Sequence, residues 1–117
     1  MAMKDSFGSV KIFGRKYEND VVIHIDGNIT KRKKKRSRDL KPIYGHTPLS
    51  EKELGFLEAE KPTVIYVGTG YEAGLPVTEG AKKILGKYET IMMPTPEIIE
   101  KIEHEQRDAV AIIHVTC

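Results

Sequence analysis

The sequence lacks the features that several classes of protein require. Its 117 residues include one cysteine, Cys117, and no tryptophan. No disulfide can form within the chain, which fits a reducing cytosol. No apolar run approaches the roughly 20 residues of a membrane span, and the N-terminal segment MAMKDSFGSV has no apolar core of a secretory signal. We therefore expect a cytoplasmic protein that does not cross a membrane.

Positive charge is concentrated in one place. Residues 31–41, KRKKKRSRDLK, contain eight Lys or Arg and one Asp, a local net charge of +7, whereas the whole chain carries +2. The stretch 31–38, here called the basic strip, has no apolar residue, which predicts an exposed sheet edge or a loop. Solvated charge is its simplest interpretation.

The alternative interpretation of the basic strip is nucleic-acid binding through phosphate contacts. The candidate ligands are Lys33, Lys34, Lys35 and Arg36. Tyr44 is the only aromatic residue nearby, and recognition of single strands uses aromatic stacking. The sequence therefore favours solvated charge over nucleic-acid binding.

The hydrophobic pattern predicts one α/β domain over residues 1–117. SVKIFG alternates Val10 and Ile12 with polar neighbours, and VVIHID places Val21, Ile23 and Ile25 on one face of a strand. RKYEN between them predicts a turn, and DGN at 26–28 signals a hairpin. From Leu49 onward, helices alternate with strands. Ser50 and Glu53 match a capping box before a helix over 51–59.

The C-terminal half continues this alternation. The strand TVIYV precedes a helix over 78–85, and the strand TIMM precedes a helix with Thr95 as N-cap and Pro96 in its first position. The apolar run AVAIIHV predicts a last strand covered on both faces. The predicted order is N-terminal strands followed by β-α-β-α-β. The apolar edge that AVAIIHV and the N-terminal strands would expose predicts a homodimer.

The stretch VIYVGTGYEAGLPVTEG, residues 64–80, has the order of strand, glycine loop and helix found in phosphate-binding loops. Gly68, Gly70 and Ala73 match G-x-G-x-x-A, a form of the dinucleotide fingerprint. Dinucleotide binding is nevertheless disfavoured, because residues 74–76 delay the helix and no acidic residue stands at the end of the next strand.

Two interpretations of the glycine loop, residues 68–70, remain. The favoured one is structural: both glycines supply positive φ angles for a sharp exit from the strand. The other is a small-anion site, since GTG and PTP would follow neighbouring strands at the same edge of the sheet. Its candidate ligands are Gly68, Thr69, Gly70 and Thr95.

The remaining reactive side chains form no pattern of catalysis or metal binding. The four histidines lack close metal-ligand spacing. His24 and His114 lie on predicted strands and could meet across the sheet, but a histidine satisfied by a hydrogen bond is the simpler interpretation. Cys117 has no base partner, and no serine stands in G-x-S-x-G. We predict no metal and no cofactor, and favour a protein that is not an enzyme.

Several segments together resemble one family. FGSVKIFGRKY, DVVIHIDGNI, VIYVGTG, the threonine that opens the third helix and AIIHVTC occur in this order. They resemble the small single-domain family that includes the human adipogenesis-associated domain protein and the mitochondrial respiratory complex I assembly factor three, over nearly the whole chain. The resemblance implies a three-layer α/β domain with a central mixed sheet, a last strand antiparallel to its neighbours, and no established catalytic residue.

By position, the resemblance carries the family's glycine loop to residues 68–70, its helix-opening threonine to Thr95, and its terminal histidine and cysteine to His114 and Cys117. Where family members have an alanine and a tyrosine-asparagine pair, this chain has Ile98, Ile102 and Glu103. A site that needs the asparagine is therefore not carried over.

The hypothesis from the sequence is a cytoplasmic module that binds a protein partner or a second copy of itself and acts in assembly. The glycine loop is its candidate site for a small anion, beside the favoured structural interpretation of that loop. The alternatives are a nucleic-acid-binding protein that uses the basic strip and a small-ligand enzyme.

Overall fold

The computed structural model describes residues 8–116. Its strands are β1 Val10–Ile12, β2 Arg15–Tyr17, β3 Val21–Ile23, β4 Ile29–Lys31, β5 Val64–Gly68, β6 Glu89–Met93 and β7 Ala109–Ile113. Its α-helices are α1 Lys41–Tyr44, α2 Leu57–Glu60, α3 Glu79–Leu85 and α4 Thr95–Ile102, and 3₁₀ helices cover Lys34–Leu40 and Glu51–Glu53. No helix among the described residues is long and apolar enough to cross a membrane.

The strands form a β1–β2 hairpin and a five-stranded mixed sheet ordered β4-β3-β7-β5-β6. β3 is antiparallel to β4 and β7, whereas β6 and β7 lie parallel to β5 on either side of it. The parallel pairs need crossovers, which α3 and α4 provide. The last strand, β7, is therefore antiparallel to β3 and parallel to β5. The resemblance implied that it is antiparallel to its neighbours, which is wrong for β5.

Helices and the hairpin cover the two faces of the sheet, which confirms the three-layer α/β fold. The β1–β2 hairpin and α4 pack on one face, and residues 49–60 with α3 pack on the other. We call these the α4 face and the α3 face. β7 buries Ala111 and Ile113 in the first core and Val110 and Ile112 in the second, so the prediction of a strand covered on both faces is confirmed.

The central place of β7 removes one argument for a homodimer. The apolar run AVAIIHV lies between β3 and β5 and offers no sheet edge. The edges of the five-stranded sheet are β4 and β6 instead. The homodimer remains a prediction, without the support that this run was expected to give.

Two predicted elements differ in the structure. Arg15–Tyr17, expected as a turn, is strand β2, and the turn lies at Phe13 and Gly14, with φ of 50° and 81°. A bulky residue at positive φ is rare, so the pattern gave no signal for this hairpin. The helix expected over 51–59 is split into the 3₁₀ helix and α2. Ser50 caps the 3₁₀ helix, because its hydroxyl accepts a hydrogen bond from the Lys52 amide. Glu53 does not complete the capping box; its carboxylate bonds to Arg32 instead.

The other two predicted helices are present. α3 begins after Thr78, whose hydroxyl accepts from the Ala81 amide as an N-cap does. α4 includes Thr95 as its first residue, and Pro94 takes the N-cap position. The hydroxyl of Thr95 is used for contacts outside the helix, so its predicted capping role is wrong.

Candidate binding site

Three ionisable side chains form a row across the α3 face, at one end of the sheet. The register of β3 with β4 and β7 places Asp20 between Arg32 and His114. All three side chains are buried. Buried charges are stable only when they are paired and hydrogen-bonded, so the partners of each atom decide what this row does.

Asp20 receives hydrogen bonds from both neighbours. Its Oδ2 lies 2.9 Å from Arg32 Nη1 and 2.8 Å from His114 Nδ1, and its Oδ1 accepts from the Val115 amide at 2.9 Å. Burial alone would raise the pKa of Asp20, but the hydrogen bond and charge of His114, the Val115 amide and the charge of Arg32 lower it to about 2. Asp20 is therefore a carboxylate at neutral pH.

Arg32 joins this row to the layer packed above it. Its Nε and Nη2 donate to the two oxygens of Glu53 at 2.7 and 2.9 Å, and Nη2 also donates to the Pro48 carbonyl at 2.8 Å. Burial would lower the pKa of Arg32, but hydrogen bonds and charge from Glu53 and Asp20 raise it. Ser37 donates to Glu53 Oε2 at 2.5 Å and also contacts the Ser50 hydroxyl. Arg32 and Ser37 thus fix the basic strip to the body of the domain.

The basic strip is therefore partly buried, and the prediction of an exposed edge or loop is wrong for two of its residues. Lys31 ends the edge strand β4, and the 3₁₀ helix Lys34–Leu40 follows. Arg32 and Ser37 face inward, whereas Lys33, Lys35 and Arg36 are exposed. The exposed cations therefore lie on one surface, and the buried side chains of Arg32 and Ser37 anchor the backbone that carries them.

This surface borders an open cavity of about 710 Å³, here called the basic cavity. Seven basic side chains line it, against two acidic ones, Glu18 and Asp20. The basic residues are Lys31, Arg32, Lys33, Lys34, Lys35, Arg36 and Arg38. Asp20 is already paired with Arg32 and His114, so the cavity carries a positive excess suited to an anionic ligand.

The donors of the glycine loop are engaged within the protein. The Gly70 amide donates to Thr95 Oγ1 at 2.9 Å, and that hydroxyl donates to the His114 carbonyl at 2.6 Å. The Thr69 amide and hydroxyl both donate to the Met93 carbonyl, at 2.9 and 3.1 Å. The Thr95 amide donates to the Gly70 carbonyl at 2.9 Å. These contacts favour the structural interpretation of the loop over the small-anion site.

The two glycines of the loop serve different purposes. Gly70 has φ of 102°, as expected for a sharp exit from the strand. Gly68 does not have a positive φ; its role is close packing, because a Cβ there would lie 2.9 Å from Thr95 Oγ1 and 3.3 Å from Thr95 Cα. The expectation of a positive φ is confirmed for Gly70 and wrong for Gly68.

His24 and His114 do not meet. His114 lies at the Asp20 end of the β3–β7 pair, and His24 follows β3 at the other end. His24 Nδ1 lies 2.7 Å from Glu60 Oε2, and its Nε2 lies 2.8 Å from Thr30 Oγ1. Both histidines are satisfied by hydrogen bonds, as the simpler interpretation predicts. Among residues 8–116, no group of three or more potential ligands is placed to hold a metal ion, and Cys117 lies outside the described residues.

The residues that anchor the basic strip were not predicted from the sequence: Asp20, Arg32, Ser37, Ser50 and Glu53. Arg32 was counted as one of several surface cations, and Glu53 was assigned to a capping box. The only available signal was the register of the DGN hairpin, which places Arg32 opposite Asp20 and on the same face as Val22. Extending the hairpin register beyond the ends of the two strands would have predicted the pair of Asp20 and Arg32.

Comparison of the chain with family models and with curated proteins gave no match. Comparison with solved structures found similar proteins. The conserved hypothetical protein PH1505 from Pyrococcus horikoshii OT3 is 35% identical, with a TM-score of 0.80, over 95% of this chain and 94% of that one. MT938 is 36% identical, with a TM-score of 0.75, over 95% of this chain and 93% of that one. Neither name states an activity, a ligand or a partner.

Proposed function

This chain belongs to the same family as PH1505 and MT938, and we propose that it is a non-enzymatic cytoplasmic module whose basic cavity binds an acidic segment of a protein partner. The observation that carries the proposal is the concentration of six basic side chains, besides the internally paired Arg32, around one cavity of about 710 Å³. The resemblance to a respiratory-complex assembly factor supports a role in assembly.

The anchoring of the basic strip favours a binding surface over loosely solvated charge. Arg32 is held by Asp20 and by both oxygens of Glu53, so the backbone that carries the exposed cations is fixed before any partner arrives. A preorganised surface loses less conformational entropy on binding than a flexible one. Side chains that are merely solvated need no such anchor.

An acidic protein segment fits the cavity better than a nucleic acid does. The residues that line the cavity include no aromatic side chain on which a base could stack. The chain as a whole carries only +2, which gives a weak long-range field for a polyanion. Asn19 and Thr116 add polar groups to the lining, and such groups can bond to the backbone of a peptide.

The test is a fluorescence anisotropy titration with a labelled peptide of alternating Glu and Ser. We expect micromolar binding that weakens with salt, and at least tenfold weaker binding of the same peptide with Gln in place of Glu. The triple variant Lys33→Ser, Lys35→Ser and Arg36→Ser should lose at least tenfold in affinity. A matched control removes three exposed cations elsewhere, Lys83, Lys87 and Lys101, and should bind within about twofold of the parent protein.

Each other outcome contradicts the proposal in a distinct way. Equal binding of the Glu and Gln peptides would show that charge does not direct recognition. Tighter binding of mixed-sequence RNA or DNA than of the Glu peptide, with a steep salt dependence, would make nucleic-acid binding the function. Equal losses in the two triple variants would assign the effect to net charge rather than to the cavity.

A second candidate function, a small-ligand enzyme, is favoured by one observation. Thr30, His24 and Glu60 place a hydroxyl, an imidazole and a carboxylate in the order used by nucleophilic catalysis, at 2.8 and 2.7 Å. Treatment with a fluorophosphonate probe tests it. Labelling of Thr30 that disappears in His24→Gln would support an enzyme, and an unlabelled protein would remove this candidate.

A further inference from the structure

A second cavity, of about 280 Å³, lies beneath the basic strip on the α3 face. We call it the inner cavity. Val22 and Ile112 from the sheet and Leu49 and Phe56 from the layer above contribute apolar side chains to it. Its apolar lining distinguishes it from the basic cavity, whose lining is mostly charged. Apolar surface in a concave site favours ligands with a hydrophobic body.

One wall of the inner cavity is a fixed imidazole. The His24 ring is held by Glu60 and Thr30 through its two nitrogens, and it meets the Phe56 ring edge to face with centroids 5.4 Å apart. A hydroxyl can both donate and accept, so Thr30 can form a further hydrogen bond beside His24. The wall therefore combines aromatic surface with a polar group.

The mouth of the inner cavity is cationic. Lys31, Lys33 and Arg36 line it and line the basic cavity as well. The acidic side chain in the lining, Glu53, has both oxygens bonded to Arg32, so its charge is compensated by that guanidinium group. A negative group at the mouth would meet three cations and no unpaired carboxylate of the lining.

We propose that the inner cavity binds a small amphipathic carboxylate. The apolar body of the ligand, one aromatic ring or a branched acyl chain, packs against Val22 and Phe56, and its carboxylate meets Lys33 and Arg36 at the mouth. The volume of about 280 Å³ lies just below the roughly 300–1,000 Å³ range for small-molecule pockets. It suits a ligand with a single ring rather than a nucleotide.

This ligand differs in chemistry from the acidic protein segment, although both use the same cations. Since Lys33 and Arg36 line both cavities, occupation of one cavity withdraws positive charge from the other. The two ligands are therefore expected to compete. Phe56 lines the inner cavity and not the basic cavity, so its substitution separates the two sites.

The probe is 3-phenylpropionate, with 3-phenylpropanamide and glutarate as comparison compounds, measured by ligand-observed NMR titration. We expect 3-phenylpropionate to bind and each comparison compound to bind at least tenfold more weakly. The amide lacks the charge, and glutarate lacks the ring. Failure of 3-phenylpropionate to bind at about 10 mM, or equal binding of acid and amide, would overturn the proposal.

Variants locate the site. Phe56→Leu keeps an apolar residue and should weaken 3-phenylpropionate about fivefold, whereas Phe13→Leu, at an aromatic residue that is 61% exposed, should not. Arg36→Gln, at an exposed position, should weaken the acid about fivefold, whereas Lys83→Gln should not. Unchanged affinity in both Phe56→Leu and Arg36→Gln would place the ligand elsewhere and overturn the assignment.

One of these variants, Phe56→Leu, distinguishes this proposal from the proposed function. Phe56→Leu should leave binding of the acidic peptide unchanged, because Phe56 does not line the basic cavity. If Phe56→Leu loses 3-phenylpropionate binding and no form of the protein binds the peptide, the inner-cavity site is retained and the acidic-segment function is rejected. If the protein binds the peptide but not 3-phenylpropionate, only the inner-cavity site is rejected.

Discussion

The glycine loop and the basic strip both suggest an anion site in the sequence, but the structure uses them differently. In the loop, the Thr69 and Gly70 amides and the Thr95 hydroxyl donate to acceptors of the protein itself. In the strip, Arg32 is bonded internally, and exposed cations remain around a cavity. The residue types in a motif therefore matter less than whether their donors are already occupied.

The difference has a physical origin in the sheet. The loop follows β5, which lies inside the sheet, so its polar groups are close to β6 and β7 and bond to their ends. The strip follows the edge strand β4 and has solvent on one side. A buried polar group must find a partner, whereas an exposed charge is satisfied by water until a ligand arrives.

The largest effect should come from the buried anchor of the strip. Arg32→Ala leaves Glu53 buried without its cationic partner and removes one partner of the buried Asp20, and should cost about 3–5 kcal/mol in the free energy of unfolding. Arg36→Ala, four residues away and exposed, should stay within about 0.5 kcal/mol of the parent protein. Urea denaturation measures both. Equal losses would show that the strip is not divided into an anchor and a surface.

The next largest effect should come from the loop. Gly70→Val places a β-branched residue at φ of 102° and should cost about 2–3 kcal/mol. Gly55→Val is the control, since Gly55 has no positive φ and a Cβ there would meet open space. Thermal melting compares the two variants. A melting temperature of Gly70→Val within about one degree of the parent would show that the backbone there is ordinary.

The sequence predicted the parts of the fold that depend on local pattern. The helix predicted over 78–85 and the buried strand predicted from the apolar run AVAIIHV are both present as α3 and β7, because these patterns act over a few residues. The helix over 51–59 was predicted as continuous because Ser50 and Glu53 match a capping box. In the structure Glu53 bonds to Arg32, and a buried charge outweighs a cap because leaving it unpaired costs more free energy.

The candidate site depends on contacts between distant segments, and the sequence predicted little of it. Asp20 and His114 are 94 residues apart and meet because β3 pairs with β7. Neither strand pattern specifies that pairing. The basic strip was visible as charge, but composition could not distinguish the buried Arg32 from the exposed Arg36. The site depends on strand register and on the burial of each side chain, and both are determined only when the sheet is assembled.

A smaller effect concerns pH. The folded pKa of Asp20, about 2, lies below its ordinary value of 3.8, so the carboxylate stabilises the fold above the ordinary value. That contribution is lost as the pH falls from about 4 to about 2. It amounts to roughly 2 kcal/mol, because a difference of one between the folded and unfolded pKa corresponds to about 1.36 kcal/mol. Asp20→Asn should be less stable at pH 7, and its deficit should shrink over this range.

Unfolding free energies measured at about pH 7, 5, 4 and 3 follow this dependence. Asp39→Asn is the control, because Asp39 is exposed and pairs with Lys52 at the surface, where such pairs contribute little. A deficit of Asp20→Asn that stays constant across this range would contradict the role assigned to its charge. A pH-dependent deficit of the same size in Asp39→Asn would contradict the comparison between buried and exposed carboxylates.

The smallest effect compares the loop and the strip directly. Pyrophosphate can bind wherever free donors or cations converge, so its titration followed by amide chemical shifts reports both regions in one experiment. We expect shifts at residues 31–36, Arg38 and Thr116, which share the basic cavity, and none at residues 68–70, whose amide donors at Thr69 and Gly70 are occupied. Stabilisation at a ligand concentration equal to Kd should be only about 0.4 kcal/mol. Saturable shifts at Thr69 and Gly70 that persist in the Lys33, Lys35 and Arg36 triple serine variant would restore the glycine loop as an anion site.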